Sequence, residues 1–304
     1  TLEILLAARV VQGIGAAGPR TVSVAMIRDL FKGREMARIM SIAMMIFTVV
    51  PAIAPLMGQG IIALADWHAI FLAYIAFSGL TMLWLGLRQP ETLPPGNRRS
   101  LRLSALAAAT RELGRHRIIV VSTLLQSLTL GALFATLSSI QAIFEVVHDR
   151  AATFPLWFAV IAVASMSGSL LNSRIVMTLG MRRVLRGTYA AQLALTLAAL
   201  VLLGTENVPA SAAFAVQLLW CIGLFSMMGL TIGNLNALAM EPVGHVAGLA
   251  ASVISSLATV ASVLLAIPVG LAFNGSATPL LVGVAILVGL ALLLSLRFLG
   301  EPRD

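Results

Sequence analysis

Leu2-Glu-Ile-Leu-Leu-Ala-Ala-Arg9-Val-Val-Gln12-Gly13-Ile-Gly15-Ala-Ala-Gly18 sets a fixed charge and an amide inside a long apolar run. An arginine near the middle of a membrane span costs about 2.5–3.5 kcal/mol on insertion scales, so its default reading is functional. Gln12 lies one turn along on the same helical face. The glycines leave one face bare enough for another backbone to approach. The competing reading of Arg9 is a structural cation that meets a carbonyl or snorkels outward.

The rest of the chain repeats this pattern. Of 304 residues, 59% are apolar and 11% charged, against about 25% charged in soluble domains. Apolar runs of about 20 residues match the length that crosses about 30 Å of hydrocarbon. The runs predict spans at Leu2–Ile27, Ile39–Leu64, Ala69–Leu87, Ile118–Phe144, Phe154–Leu179, Thr188–Leu203, Ala212–Leu238, Val246–Phe273 and Pro279–Leu299. They are too long for barrel strands and lack period-2 alternation. The chain therefore reads as an all-α membrane protein with about nine transmembrane helices.

The net charge of +8 does not point to nucleic acid, because arginine supplies nineteen of the twenty basic residues and clusters in alternate loops. Arg28, Lys32, Arg34 and Arg38 follow the first span. Arg88 to Arg117 follow the third, Arg182, Arg183 and Arg186 the fifth, and Arg297 and Arg303 sit at the end of the chain. The opposite loops hold Arg150 alone. The positive-inside rule places the arginine-rich loops and the C-terminus in the cytoplasm, and Trp67 suits an outer interfacial anchor. The expected organisation is a partial helical bundle over 1–87, a cytoplasmic linker over 88–117 with a surface helix around Leu101–Gly114, and a six-helix bundle over 118–304. Cys221, the single cysteine, lies in an apolar span, so no disulfide or thiolate metal framework is expected. No phosphate-cradling Gly-Lys-Ser/Thr loop and no catalytic triad spacing is present, so an enzyme or an ATP-driven pump is not expected.

Arg9-x-x-Gln12-Gly13-x-Gly15 resembles the fourth-helix motif of drug/proton antiporters of the major facilitator superfamily. Pro51-Ala-Ile-Ala-Pro55-Leu-Met-Gly58 is similar to the fifth-helix motif of its bicyclomycin/chloramphenicol resistance (Bcr/CflA) group. Asp66-Trp67-His68-Ala-Ile-Phe71, Arg88-Gln-Pro-Glu-Thr92 and Met240-Glu-Pro-Val-Gly-His245-Val-Ala-Gly248 fit the same group in the same order. The resemblance implies a major facilitator fold in which the nine spans are helices four to twelve of a twelve-helix plan. On that mapping, helices one to three are missing from the chain: a fragment or a truncated gene, with a genuine nine-helix protein as the alternative. Two departures stand out. The turn Leu179-Gly-Met-Arg-Arg183 lacks the acidic residue of the family pattern, and Pro19-Arg20 lies inside the first span.

The resemblance implies proton-coupled efflux of small amphipathic drugs by alternating access, in a monomer spanning the bacterial inner membrane, with a proton gradient and no cofactor. Its partners would be the amphipathic substrate, protons and the lipid bilayer, with no nucleic acid. Arg9, Gln12 and Arg20 are the coupling candidates. Gly13, Gly15, Pro51, Pro55 and Gly58 carry the hinge and antiporter motifs, and Met44, Gln126, Asn234 and Asn236 are cleft candidates. Each has a plainer reading: a static kink for the prolines, lipid-facing packing for the methionine, helix–helix glue for the amides. Proton exchange suits a carboxylate whose pKa burial raises. No acidic residue is expected mid-span, so the proton carrier is expected in the missing part. The alternatives are a narrow-specificity metabolite exporter and a transport-inactive membrane protein with a structural role.

Overall fold

The computed structural model describes residues 1–31, 33–92, 111, 113–204 and 208–299. Several helical residues, among them Arg20, Met44, Pro51 and His245, are described by their backbone alone. Most of the expected linker and its surface helix lies outside the described residues. All regular structure among the described residues is helical: α1 Leu2–Leu30, α2 Gly33–Leu64, α3 His68–Arg88, α4 Arg117–Ala142, α5 Phe154–Leu179, α6 Met181–Leu203, α7 Ala210–Met240, α8 Ala247–Leu271 and α9 Thr278–Phe298. Eight of these are long and apolar enough to cross a membrane; in α2 the apolar stretch found among the described residues is the shorter Ile53–Leu64. The helices overrun the apolar runs where helix-forming polar residues continue them. α2 begins at Gly33 and α6 at Met181, so Arg38 and the Arg182-Arg183-Arg186 group are helical. A hydropathy boundary marks where hydrocarbon ends, not where the i→i−4 ladder ends.

The chain divides into two compact units, Thr1–Leu101 and Arg102–Asp304. In the first, α2 packs against both α1 and α3. α1 continues through Pro19, and α2 through Pro51 and Pro55, although each proline removes one backbone donor from the ladder. No residue of α3 is buried. Leu72, Ile75, Phe77, Leu80, Leu83 and Trp84 stand exposed along it, as suits a helix whose solvent is lipid.

The second unit is built around α4, which packs against α7, α8 and α9. Residues on every side of α4 are buried, from Ile119 to Ile140; a helix apolar all round belongs in such a position. Four of its hydroxyls return to their own helix: Thr123, Ser127, Thr129 and Thr136 each donate to a carbonyl four residues back, at 2.7–2.8 Å. That satisfies them where water is absent. α6 packs against α7 and α9, and α5 against α7, a helix of 31 residues. Gly180 alone joins α5 to α6, at φ 78°, a conformation only glycine reaches without strain.

At the other end of this unit, α4 runs into a π-helical turn, Ile143–Val147, before α5. Phe144, Phe154, Trp157 and Phe214 gather there edge to face, with centroids 5.0–5.5 Å apart. Arg150 lies over Phe214 at 4.3 Å. The single arginine of the opposite loops is thus an aromatic-bound cation. His148 packs against Phe144 and Phe214. Burial first, and the Arg150 charge second, push its imidazole below the usual 6.5.

Candidate functional site

Arg9 is two turns into α1. Its side chain meets that of Gln12, three residues on along the same helix face. Nη1 donates to Gln12 Oε1 at 2.8 Å, and the guanidinium lies 5.5 Å from the Phe71 ring centroid at the start of α3. An amide oxygen and an aromatic face together offset part of the cost of a cation among apolar helices. Phe71 stood in the sequence only as the last residue of a motif; its closeness to Arg9 depends on how α1 and α3 flank α2.

Phe71 is fixed by the turn before α3. Asp66 Oδ1 accepts from the backbone N–H of His68 at 2.9 Å and of Ala69 at 3.3 Å. Its Oδ2 lies 3.0 Å from His68 Nδ1. That hydrogen bond is the main reason its carboxyl is held below the ordinary value. Trp67 stacks on His68 at 3.7 Å and meets Phe71 edge-on at 6.0 Å. Arg9, Gln12, Phe71, Trp67 and Asp66 thus form one polar and aromatic chain in the first unit.

The motif glycines stand open among the described residues. A Cβ added at Gly13, Gly15, Gly58 or Gly60 meets nothing within 4 Å. The close backbone approach that those positions suggest is not made among the described residues. The tight contact is instead between α5 and α7. A Cβ at Gly168 would lie 2.3 Å from the Ser226 carbonyl oxygen, and one at Gly229 2.7 Å from the Ser169 nitrogen. The Gly229-x-x-x-Gly233 pattern is half used, since Gly233 faces open space.

The amides in the second unit are mostly engaged. Asn234 is 5% exposed; its Nδ2 donates to Asn172 Oδ1 and to Leu230 O, both at 2.8 Å. Both amide hydrogens are thereby used, one of them across the α5–α7 contact. Gln126 is only 2% exposed, and its Nε2 has no partner among the described residues. Asn236 is half-buried. Gln192 reaches Thr196 Oγ1, which also accepts from Trp220 Nε1 at 3.0 Å. Tyr189 and Thr129 share a 2.8 Å hydrogen bond between α6 and α4. Glu145 and Glu241 are exposed at helix ends. Asp29, in the last turn of α1, accepts from Thr92 Oγ1 at 3.1 Å. Among the described residues no carboxylate sits midway along a span.

Comparison with known proteins gives a family match over residues 1–266, to the Major Facilitator Superfamily. The chain is 29% identical over 262 residues to the uncharacterized MFS-type transporter YdgK of Bacillus subtilis, covering 84% of this chain and 63% of that protein. It is 31% identical over 259 residues to a bicyclomycin resistance protein homolog of Haemophilus influenzae, covering 83% and 62%. A shorter stretch of 87 residues is 33% identical to the multidrug resistance protein MdtL of Escherichia coli, covering 29% and 22%. The chain thus spans somewhat more than three fifths of the length of the first two relatives.

Proposed function

Because the chain belongs to the Major Facilitator Superfamily, we propose that it acts in a secondary transporter that exports small amphipathic compounds in exchange for protons. The observation that carries this reading is Arg9, an intramembrane cation held toward Gln12 and Phe71, in the stretch that resembles the fourth-helix antiporter motif. Relatives named for bicyclomycin and multidrug resistance support a drug-like substrate class.

In this reading the guanidinium, which stays charged at any physiological pH, does not carry the proton. It acts on a carboxylate: close to Arg9 the carboxylate is ionised, and away from it burial raises the pKa and the proton is taken up. Among the described residues no carboxylate is placed for this. Alternating access exposes that pair to each side in turn, with Pro51 and Pro55 letting α2 bend as one bundle rocks against the other. The arginine-rich loops and the C-terminus face the cytoplasm of a bacterial inner membrane, and the transporter works as a monomer.

The test is proton release on drug addition to the purified protein in weakly buffered detergent, beside a resistance assay in a hypersensitive host. The expected result is release on drug addition that Arg9→Gln abolishes, with Arg9→Lys recovering part of it. Absence of release together with absence of resistance overturns the antiport reading and favours a transport-inactive protein. Resistance to no drug but export of one metabolite favours a narrow exporter.

A further inference from the structure

Three arginines from three helices converge on Phe298-Leu299 at the end of α9. Arg117 lies over the Phe298 ring at 4.7 Å and Arg297 at 5.5 Å. Two guanidinium groups on one ring stand within about a Debye length of each other. Arg186 Nη2 donates to the Leu299 carbonyl, while its buried Nε has no partner among the described residues. Among the described residues no carboxylate lies within ion-pair distance of these three.

A helix end sharpens the imbalance. Arg117 is the first residue of α4. A helix N-terminus carries about half a positive charge, so a cation there is wrongly signed. α4 has no side-chain cap, which leaves its first-turn N–H groups without a side-chain acceptor. The like charges and the positive end of α4 call for an anion at this place.

We propose that this end of the second unit binds the headgroup of an anionic phospholipid, its phosphate set among Arg117, Arg186 and Arg297. The neighbouring surface favours a lipid over a free phosphate. Ile286, Leu290, Leu293 and Leu296 are exposed along one face of α9 and lead directly to Arg297, so acyl chains can lie against them while the headgroup reaches the guanidinium groups. The proposal rests only on the helices spanning a bilayer and is independent of the transport reading.

Native mass spectrometry of the 304-residue chain, titrated with phosphatidylglycerol or phosphatidylcholine in neutral detergent, tests it. The expected result is preferential retention of phosphatidylglycerol, weakened about fivefold for each arginine removed in Arg117→Gln and Arg297→Gln. The Arg117→Lys/Arg297→Lys pair should retain binding, Arg150→Gln at the opposite end should leave it unchanged, and millimolar inorganic phosphate should not displace the lipid. Protection of buried Cys221 from a maleimide reports that each variant is folded. Equal retention of the two lipids by the wild-type chain overturns the proposal whether or not the variants fold. So does undiminished binding in a folded glutamine pair, or displacement of the lipid by inorganic phosphate.

Discussion

Substitution of Gly168 by alanine probes the α5–α7 contact. The added Cβ would lie 2.3 Å from the Ser226 carbonyl oxygen, 2.8 Å from its Cα and 2.9 Å from its carbonyl carbon. All three are backbone atoms, so no rotamer change relieves them. Non-bonded carbons rest at about 3.5–4.0 Å, so the helices must part by about 1 Å. Overpacking of this kind costs about 1–3 kcal/mol. Parting also stretches the Asn172–Asn234 bond, where intramembrane hydrogen bonds contribute about 0.6 kcal/mol on average. The opposing effect is alanine's better helix propensity, worth about 1 kcal/mol over glycine. The steric term wins, leaving a net loss of about 1–2 kcal/mol. For a unit of this size that lowers the unfolding temperature by about 2–8 °C. Cys221, buried on α7 and the single cysteine, supplies the readout, as heating exposes it to a fluorogenic maleimide. Gly233→Ala on the same helix is the control, since its Cβ meets nothing within 4 Å; it should be neutral or slightly stabilising. If Gly168→Ala unfolds at the wild-type temperature, or Gly233→Ala is the more damaging, the contact is not what holds α5 to α7.

A double-mutant cycle with Asn172→Ala and Asn234→Ala should give a coupling of about 0.6–1.7 kcal/mol in denaturation measurements, and additivity would show that the 2.8 Å bond contributes nothing. Tyr189→Phe should lose only about 1 kcal/mol, because Thr129 keeps its bond to the Leu125 carbonyl, whereas Tyr189→Ala should lose about 3–5 kcal/mol through the cavity; equal effects would contradict this. His148 has its pKa lowered in the fold, so below pH 6.5 the unfolded chain binds the proton more readily. Stability should therefore hold above that pH and fall as the pH drops through the lowered folded value, and His148→Phe should flatten this decline in a pH series of unfolding temperatures.

The spans were legible because a bilayer demands length and apolarity, both of which a run of residues displays directly. Phe154–Leu179 agrees to the residue with α5. The start of α6 was missed by seven residues because Met181 to Gly187 are helical but not apolar. The contacts were far less visible. Gly13 and Gly58 stand in recognisable motifs and meet nothing, while Gly168, in an ordinary run of serines and methionine, touches a neighbouring backbone. Glycine spacing tells where a helix is thin, not which helix lies beside it. Asn234 likewise read as cleft or glue, and only the position of Asn172 on α5 separates the two. The corner formed by Phe144, His148, Arg150 and Phe214 draws on residues up to 70 positions apart, beyond the reach of any local pattern.

The 31 residues of α7 amount to about 46 Å of helix, half as long again as the hydrocarbon thickness of about 30 Å. A helix this long meets a thin bilayer by leaning. It packs against α5 where Gly168 and Ser226 leave no slack. Acyl-chain length in the host membrane therefore sets a mechanical load on that crossing, so shorter-chain lipids should loosen the same contact that an added methyl group would force apart.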